Sequence, residues 1–395
     1  MLILALANLT QRKVRSILSI LAVAFAISLL LVLVGLSNGT LHEVSNRMQS
    51  VEAEIIVRDK YFDLGSMGGG KLWEKEVAGI RSLELDGRRA VRHVIPVFLG
   101  RMKLGGLSQN VFGVYPADFA FFAGTRRLLE GAVFEDISSA QEVFTQGEGG
   151  AALPLPANMV LPLVIDERLS RAAGLKMGDT ASYGDITARV VGIIETGVAG
   201  RVFAPINLLR AINGVTVPTA HMFFVKAADP MNNDQLQQLA EKIEQSTRRS
   251  ASLVANYGQV LADNFRNLTI FVSLVSVISL VICFLFILVT IYTIVLERGR
   301  EIAILQSLGA SRRVILRQTM QEALIICSLG TGLGFVLAYG SRWLIETVQP
   351  LMTIEIRPFW LLMAALIGVG GGLLSSLYPG YVALKHDPVE ALSFE

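Results

Sequence analysis

Four runs of the chain, residues 17–36, 268–296, 323–341 and 358–384, contain no Asp, Glu, Lys, Arg or His. Each is long enough to cross a hydrocarbon core of roughly 30 Å as a helix, which takes about 20 apolar residues. Charges inside a membrane usually mark ion or proton routes, so their absence argues against a proton-coupled carrier or a charged-substrate pore through these spans. The membrane part reads as mechanical. With 52% hydrophobic and 17% charged residues, the chain is too apolar for an ordinary soluble protein of 395 residues. A formal net charge of +2 supports neither a nucleic-acid partner nor an acidic substrate. Cys283 and Cys327 fall inside apolar runs, where cysteine acts as a small packing residue, and they leave no disulfide framework for the rest.

Charge sets the orientation. Arg12, Lys13 and Arg15 precede the first run, and Arg298, Arg300, Arg312, Arg313 and Arg317 lie between the second and third, so both segments face the cytoplasm. The loop between runs three and four offers Arg342 and Arg357 beside Glu346 and Glu355, and Lys385 and His386 follow the fourth. Both termini are then inside, with one large region outside. The first run is too long for a signal peptide and has no small-residue cleavage site, so it reads as an uncleaved anchor. Leu2 to Leu9 ahead of it can lie along the inner membrane surface. The expected layout is a surface helix with the first span over 1–37, an outer domain over 38–266 and the second span over 267–296. A cytoplasmic segment over 297–318, the third span over 319–341, an outer loop over 342–357, the fourth span over 358–384 and a tail over 385–395 complete it. Gly330 with Gly334, and Gly368 with Gly372, form small-xxx-small pairs that serve close helix packing within one subunit or at a subunit interface.

The outer region is large enough for one or two folded lobes. Glycine-rich breaks at 65–70 and 147–156 read as flexible loops. Val94 to Phe98 and Val111 to Val114 read as strands, as does Asn158 to Ile165, followed by a short helix over Glu167 to Ala173 that Gly174 ends. Thr180 to Tyr183 and Ile186 to Ile194 pair as a hairpin across Gly184-Asp185. Asn233 caps a helix whose stripe of Leu236, Leu239 and Ile243 covers a sheet, with Glu241, Lys242 and Glu244 outward.

Between the second and third runs lies an amphipathic segment that neither membrane nor soluble core explains. Ile302, Leu305 and Leu308 recur every three residues and share one helical face, while Glu297, Arg298, Arg300 and Glu301 stay wet. Gly309 stops this helix and Ser311 can cap the next. The pattern is a handle offered to a partner.

Residues that imitate catalytic motifs do not complete them. Gly65 to Lys71 has the start of a phosphate-binding P-loop, but Leu72 stands where Ser or Thr must hold magnesium. His42, His93, His221 and His386 have no metal-ligand spacing. Ser182 and His221 lack the Gly-x-Ser-x-Gly elbow that positions a nucleophile. Phe119, Phe121 and Phe122 can line an apolar groove for a lipid or drug, although core packing is the commoner use of such residues.

Four uncharged runs, one large outer region after the first, and Arg300-Glu301-Ile302-Ala303-Ile304-Leu305 with Leu308-Gly309-Ala310-Ser311 after the second together resemble the MacB/FtsX-like permeases of type VII ABC transporters, also called mechanotransmitters. Ala7-Asn8-Leu9 through Lys13-Val14-Arg15-Ser16-Ile17-Leu18 is similar to the family's basic turn into span one. Arg127-Leu128-Leu129-Glu130-Gly131 through Phe134, and Ala172 to Thr180 with Val190-Val191-Gly192-Ile193-Ile194, resemble words of its periplasmic core domain. Arg300-Glu301-Ile302-Ala303-Ile304-Leu305 with Leu308-Gly309-Ala310-Ser311 resembles the cytoplasmic helix that rides on the ATPase, with Ala303 where many members carry glycine. Tyr378-Pro379-Gly380 with Ala383, then Asp387 to Leu392, is similar to the family's C-terminal ending.

The resemblance implies an α-helical membrane protein with four transmembrane helices and a large α+β extracytoplasmic domain inserted between helices 1 and 2. It implies no cofactor in this chain, with ATP and magnesium on a cytoplasmic ABC ATPase dimer. A second permease copy, as homodimer or close paralogue, would complete the unit in a bacterial inner membrane. A periplasmic adaptor, an outer-membrane channel and membrane lipid are the further partners it implies. Ile302, Leu305 and Leu308 would seat in an ATPase groove, with Arg298, Arg300, Arg312 and Arg313 at its polar rim and Glu297, Glu301, Gly309 and Ala310 completing the coupling segment. The implied function is export or extraction of a lipid, lipoprotein, peptide or drug. The alternatives are a non-transporting relay to a cell-wall hydrolase or peptide sensor, and an enzyme on a membrane anchor.

Overall fold

The computed structural model describes residues 13–61, 70–134, 160–183, 186–215, 217–257, 266–297 and 311–383. The chain divides into a helical unit, Met1–Thr40 with Arg266–Glu395, and an outer unit, Leu41–Phe265. In chain order the α-helices are α1 (Lys13–Gln49), α2 (Glu76–Arg81), α3 (Phe119–Ala123), α4 (Glu167–Ala173) and α5 (Ile206–Ile212). There follow α6 (Asn233–Thr247), α7 (Arg266–Glu297), α8 (Arg312–Val348) and α9 (Pro358–Ala383).

In the helical unit, Val23, Ile27 and Leu31 of α1 pack against Ala323, Ile326, Cys327 and Ala338 of α8 and Ala364 of α9. Glycine makes that approach possible. A Cβ on Gly330 would stand 2.6 Å from Val23 Cβ, one on Gly334 2.9 Å from Ile27 Cβ, and one on Gly368 2.6 Å from Thr331 Oγ1. Gly372 lines an apolar groove with Ala26, Ile27 and Phe284. Among the described residues, Ser16–Gln49 and Met320–Val348 are long and apolar enough to cross a bilayer by length and composition, while Ile270–Ile282 and Pro358–Leu374 are shorter apolar stretches.

Two helices outrun the boundaries expected of them. α1 does not stop near Leu36 but runs to Gln49, because Leu41, Val44 and Met48 continue a helical stripe into the core of the outer unit. α8 begins at Arg312 and ends at Val348, so it takes in the end of the expected cytoplasmic segment and the start of the expected outer loop. Ser311 sits at its N-cap in extended conformation without a side-chain capping bond.

The strands of the outer unit are β1 (Ile55–Arg58), β2 (Leu72–Trp73), β3 (Glu84–Leu85), β4 (Arg88–Arg89), β5 (Val91–Leu104), β6 (Leu107–Val114) and β7 (Leu128–Gly131). They continue with β8 (Val160–Asp166), β9 (Thr180–Tyr183), β10 (Ile186–Ile194), β11 (Val202–Pro205), β12 (Thr219–Ala220), β13 (Met222–Ala227) and β14 (Ser250–Leu253). Among the described residues the main sheet runs β14-β1-β13-β5-β6-β11-β8-β10-β7, with β9 on β10. β5 joins two halves, pairing through Val97 with β13 and from Phe98 with β6. The pairs β8/β10 and β6/β11 are parallel; α4 lies in the connection from β8 to β10, and α5 follows β11 in the chain.

Local grammar explains several elements. Asp166 caps α4 by accepting from Leu169 N at 2.7 Å, and Gly174 ends it at φ 65°. Gly105-Gly106, both at positive φ, turn β5 into β6, making one long hairpin where two short strands were expected. β9 and β10 pair antiparallel in the expected register, with Gly184-Asp185 outside the described residues. β8 is described from Val160 and ends at Asp166, one residue beyond the expected strand end. α6 is capped by Asn232 rather than Asn233, because Gln235 three residues on closes a capping box with it. Leu236, Leu239 and Ile243 are buried as a stripe, whereas Glu244 is half-buried and accepts from Ala251 N at 2.8 Å. Phe119 and Phe122 are core residues, meeting Phe203 and Phe224 edge-on at 5.3 Å and 5.4 Å. The glycine breaks at 65–69 and 147–156 lie outside the described residues.

Candidate functional site

Within the outer unit, the last two turns of α1 present Glu43 and Arg47 on one face, four residues apart. Arg47 is buried and donates from Nε to Glu43 Oε1 at 3.0 Å and from Nη2 to Asp166 Oδ2 at 3.1 Å. Asp166, wholly buried at the end of β8, thus caps α4 with one oxygen and holds α1 with the other. Glu43 also accepts from Arg201 at 2.7 Å and from Arg168 at 3.5 Å. Three guanidiniums and two carboxylates therefore lock the helix end to a strand, a helix start and the approach to β11. Burial, and then the neighbouring Arg47, push the Arg201 pKa down to about 10, with Glu43 and Asp166 opposing the shift. It stays charged at neutral pH. Charge-assisted, mutually oriented bonds of this kind resist sliding, which suits a joint under load.

A second buried cluster steadies the domain. Arg210 is wholly buried and donates to Glu74, to the Thr219 carbonyl at 2.8 Å and to Asn207 Oδ1 at 3.3 Å. The Tyr115 hydroxyl donates to Glu74 Oε2 at 3.0 Å, and burial followed by the Glu74 charge raises its pKa to about 12. Nearby, His221 Nδ1 accepts from Leu99 N at 3.0 Å and its ring lies 4.6 Å from that of Phe98. Burial, then Lys71 and Arg210, lower the His221 pKa from 6.5 to about 4. The unfolded chain binds this proton near pH 6.5 while the folded domain refuses it until about pH 4. Stability is complete above pH 6.5, falls as pH drops towards 4 and stays reduced below that, by about 3 kcal/mol in full. Melting the protein across this range should show the loss, and His221→Gln should remove that part of the slope.

Of the residues singled out in the sequence, Arg298 to Ala310 lie outside the described residues, including Ile302, Leu305, Leu308 and Gly309. Glu297 is the last residue of α7, and Arg312 and Arg313 open α8. Gly330, Gly334 and Gly368 meet side chains of the same chain, as described above. The described residues hold no group of three or more His, Cys, Asp or Glu able to bind a metal. His93 instead bonds Asp118 at 2.7 Å, and His42 bonds Asn46 at 2.8 Å. The lock of Glu43, Arg47, Asp166, Arg168 and Arg201 was not anticipated. Its visible signals were an i,i+4 acid–base pair past an apolar run and an Asp at a strand-to-helix junction.

Two family descriptions match this chain: a MacB-like periplasmic core domain over residues 16–243, and an FtsX-like permease C-terminal domain over residues 273–388. Among curated relatives, the macrolide export ATP-binding/permease protein MacB of Rhodopseudomonas palustris is 22% identical over 412 residues, covering 99% of this chain and 59% of that protein. The protein of the same name from Bdellovibrio bacteriovorus is 26% identical over 421 residues, covering 98% of this chain and 60% of its own length. The chain therefore spans about three fifths of these relatives. The crystal structure of the periplasmic region of MacB from Actinobacillus actinomycetemcomitans overlaps 54% of this chain and 95% of its own, at 16% identity and a TM-score of 0.36. Because the periplasmic core family covers more than half of the chain and the permease family most of the remainder, the chain is a membrane protein that belongs to the MacB/FtsX-like permeases of type VII ABC transporters.

Proposed function

We propose that the chain is a permease subunit that turns ATP hydrolysis inside the cell into movement outside it. In this reading four spans cross the bacterial inner membrane and both termini are cytoplasmic. Two permease copies sit over a cytoplasmic ATPase dimer that binds the ATP and magnesium. Closure of that dimer pushes the segment from Glu297 to Arg313, with Ile302, Leu305 and Leu308 seated in its groove.

The observation that carries the proposal is α1. A single helix begins at Lys13, passes through an uncharged apolar run and ends in the Glu43–Arg47–Asp166 lock. Such a rod conveys displacement without a route for substrate between the spans. The work done outside is export or extraction of a lipid, lipoprotein, peptide or drug, the relatives being named for macrolide export. A periplasmic adaptor and an outer-membrane channel fit the same scheme.

Leu305→Asp tests the handle. The variant is expected to uncouple transport from ATP hydrolysis in membrane vesicles, lowering it about ten-fold or more, an effect of at least about 1.4 kcal/mol. The melting of the outer unit should not change. Full transport by this variant would remove the coupling segment from the mechanism.

A further inference from the structure

The connection between α8 and α9 is neither helix nor strand over Met352 to Arg357, and it meets α1 backbone to backbone. Glu355 N donates to the Gly35 carbonyl at 3.0 Å, a bond from outside the helix to a carbonyl in its interior. Gly35 and Gly39 lie one turn apart on the same face. A Cβ on Gly35 would come within 3.0 Å of Ile354 Cγ2, and one on Gly39 would overlap the Thr353 carbonyl oxygen and stand 2.9 Å from Glu355 N. Ile354 between them is wholly buried. Glycine is a poor helix former, so two of them one turn apart in a long helix weaken it for the sake of this approach.

We propose that Gly35 and Gly39 are positioning residues, forming the notch through which the α8–α9 connection drives α1. This rests on the reading that an ATPase pushes the segment before α8. α8 begins at Arg312, at the end of that segment, and runs unbroken to Val348, nine residues before Arg357. A displacement at its cytoplasmic start reaches the connection after Val348 as a rigid-body movement. The notch then passes it to the α1 backbone, where no rotamer change can absorb it, one helical turn before Glu43 of the charged lock.

The test uses the full chain with its ATPase in lipid nanodiscs, probed with ATP and orthovanadate. Hydrogen exchange is followed at the Glu355 amide and over residues 41–49. In Gly39→Ala the Glu355 amide should exchange about ten-fold faster or more, and the nucleotide-dependent change over 41–49 should disappear. Gly340→Ala, where an added Cβ meets nothing within 4 Å, should alter neither. Should Gly39→Ala fail to assemble, Gly35→Ala makes the milder intrusion against Ile354 and should weaken both signals. A change over 41–49 that survives Gly39→Ala, or that Gly340→Ala loses equally, overturns the notch. A wild-type complex with no change over 41–49 overturns the functional reading beneath it, so the two failures are distinguishable.

Discussion

Asp166→Ala is expected to destabilise the outer unit by about 4 kcal/mol, combining a broken buried ion pair with a lost helix cap. Asp166 is wholly buried and serves two partners, accepting from Arg47 at 3.1 Å and from Leu169 N at 2.7 Å. Removing it leaves Arg47 buried beside Arg201 with Glu43 as the remaining carboxylate, and exposes the first turn of α4 to an unsatisfied amide. For a unit of this size the loss should lower the melting temperature by about 10 °C. Asp166→Asn keeps a side chain able to cap and should recover about 1 kcal/mol, the ordinary value of an N-cap. Circular dichroism of the full chain checks both variants. A change below about 1 kcal/mol in Asp166→Ala would mean that the charges are solvated and that α1 is not locked there. Because the same residue holds α1, the variant should also lose coupling at temperatures where it remains folded.

Arg210→Ala carries an effect of the same size, about 3–5 kcal/mol of destabilisation. The guanidinium is fully buried and answers Glu74, Asn207 and the Thr219 carbonyl together. Without it the Glu74 carboxylate loses its ion-pair partner and keeps a hydrogen bond from the neutral Tyr115 hydroxyl, and the Thr219 carbonyl loses its side-chain donor. A double-mutant cycle separates pair energy from packing. Arg210→Met alone strands Glu74, while Arg210→Met with Glu74→Met removes both charges and should recover at least about 1 kcal/mol by denaturant titration. If the double variant is no better than the single one, the cost lies in packing and not in the stranded charge.

Much of the outer unit was legible because its signals are local. Glu167 to Ala173 with Gly174 behind it mark α4 within eight residues, and Leu236, Leu239 and Ile243 mark the buried face of α6. The hairpin of β9 and β10 needs only two alternating strands and a turn pair. Pairings between distant segments left no such trace. Arg47 finds Asp166 across 119 residues and Arg201 finds Glu43 across 158, and no periodicity in either segment encodes the other. The length of α1 was underestimated because Ser37-Asn38-Gly39 reads as a helix end. The stripe of Leu41, Val44 and Met48 overrides that preference through tertiary packing. Gly35 and Gly39 were hidden for a related reason, since glycine in an apolar run shows close approach without naming the neighbour. The membrane glycines Gly330, Gly334 and Gly368 were visible by spacing, but their partners Val23, Ile27 and Thr331 were not.

In the proposed complex of two permease copies with an ATPase, whether ATP binding moves the Gln49 end of α1 is read most directly by spin labels at position 42, an exposed residue one position before Glu43. Cys283 and Cys327 are first replaced by Ala so that His42→Cys carries the label. Adding ATP and orthovanadate to the complex with its ATPase should shift the distance between the labels, and Leu305→Asp should abolish the shift. An unchanged distance in a complex that binds and hydrolyses ATP would contradict mechanical coupling through this chain.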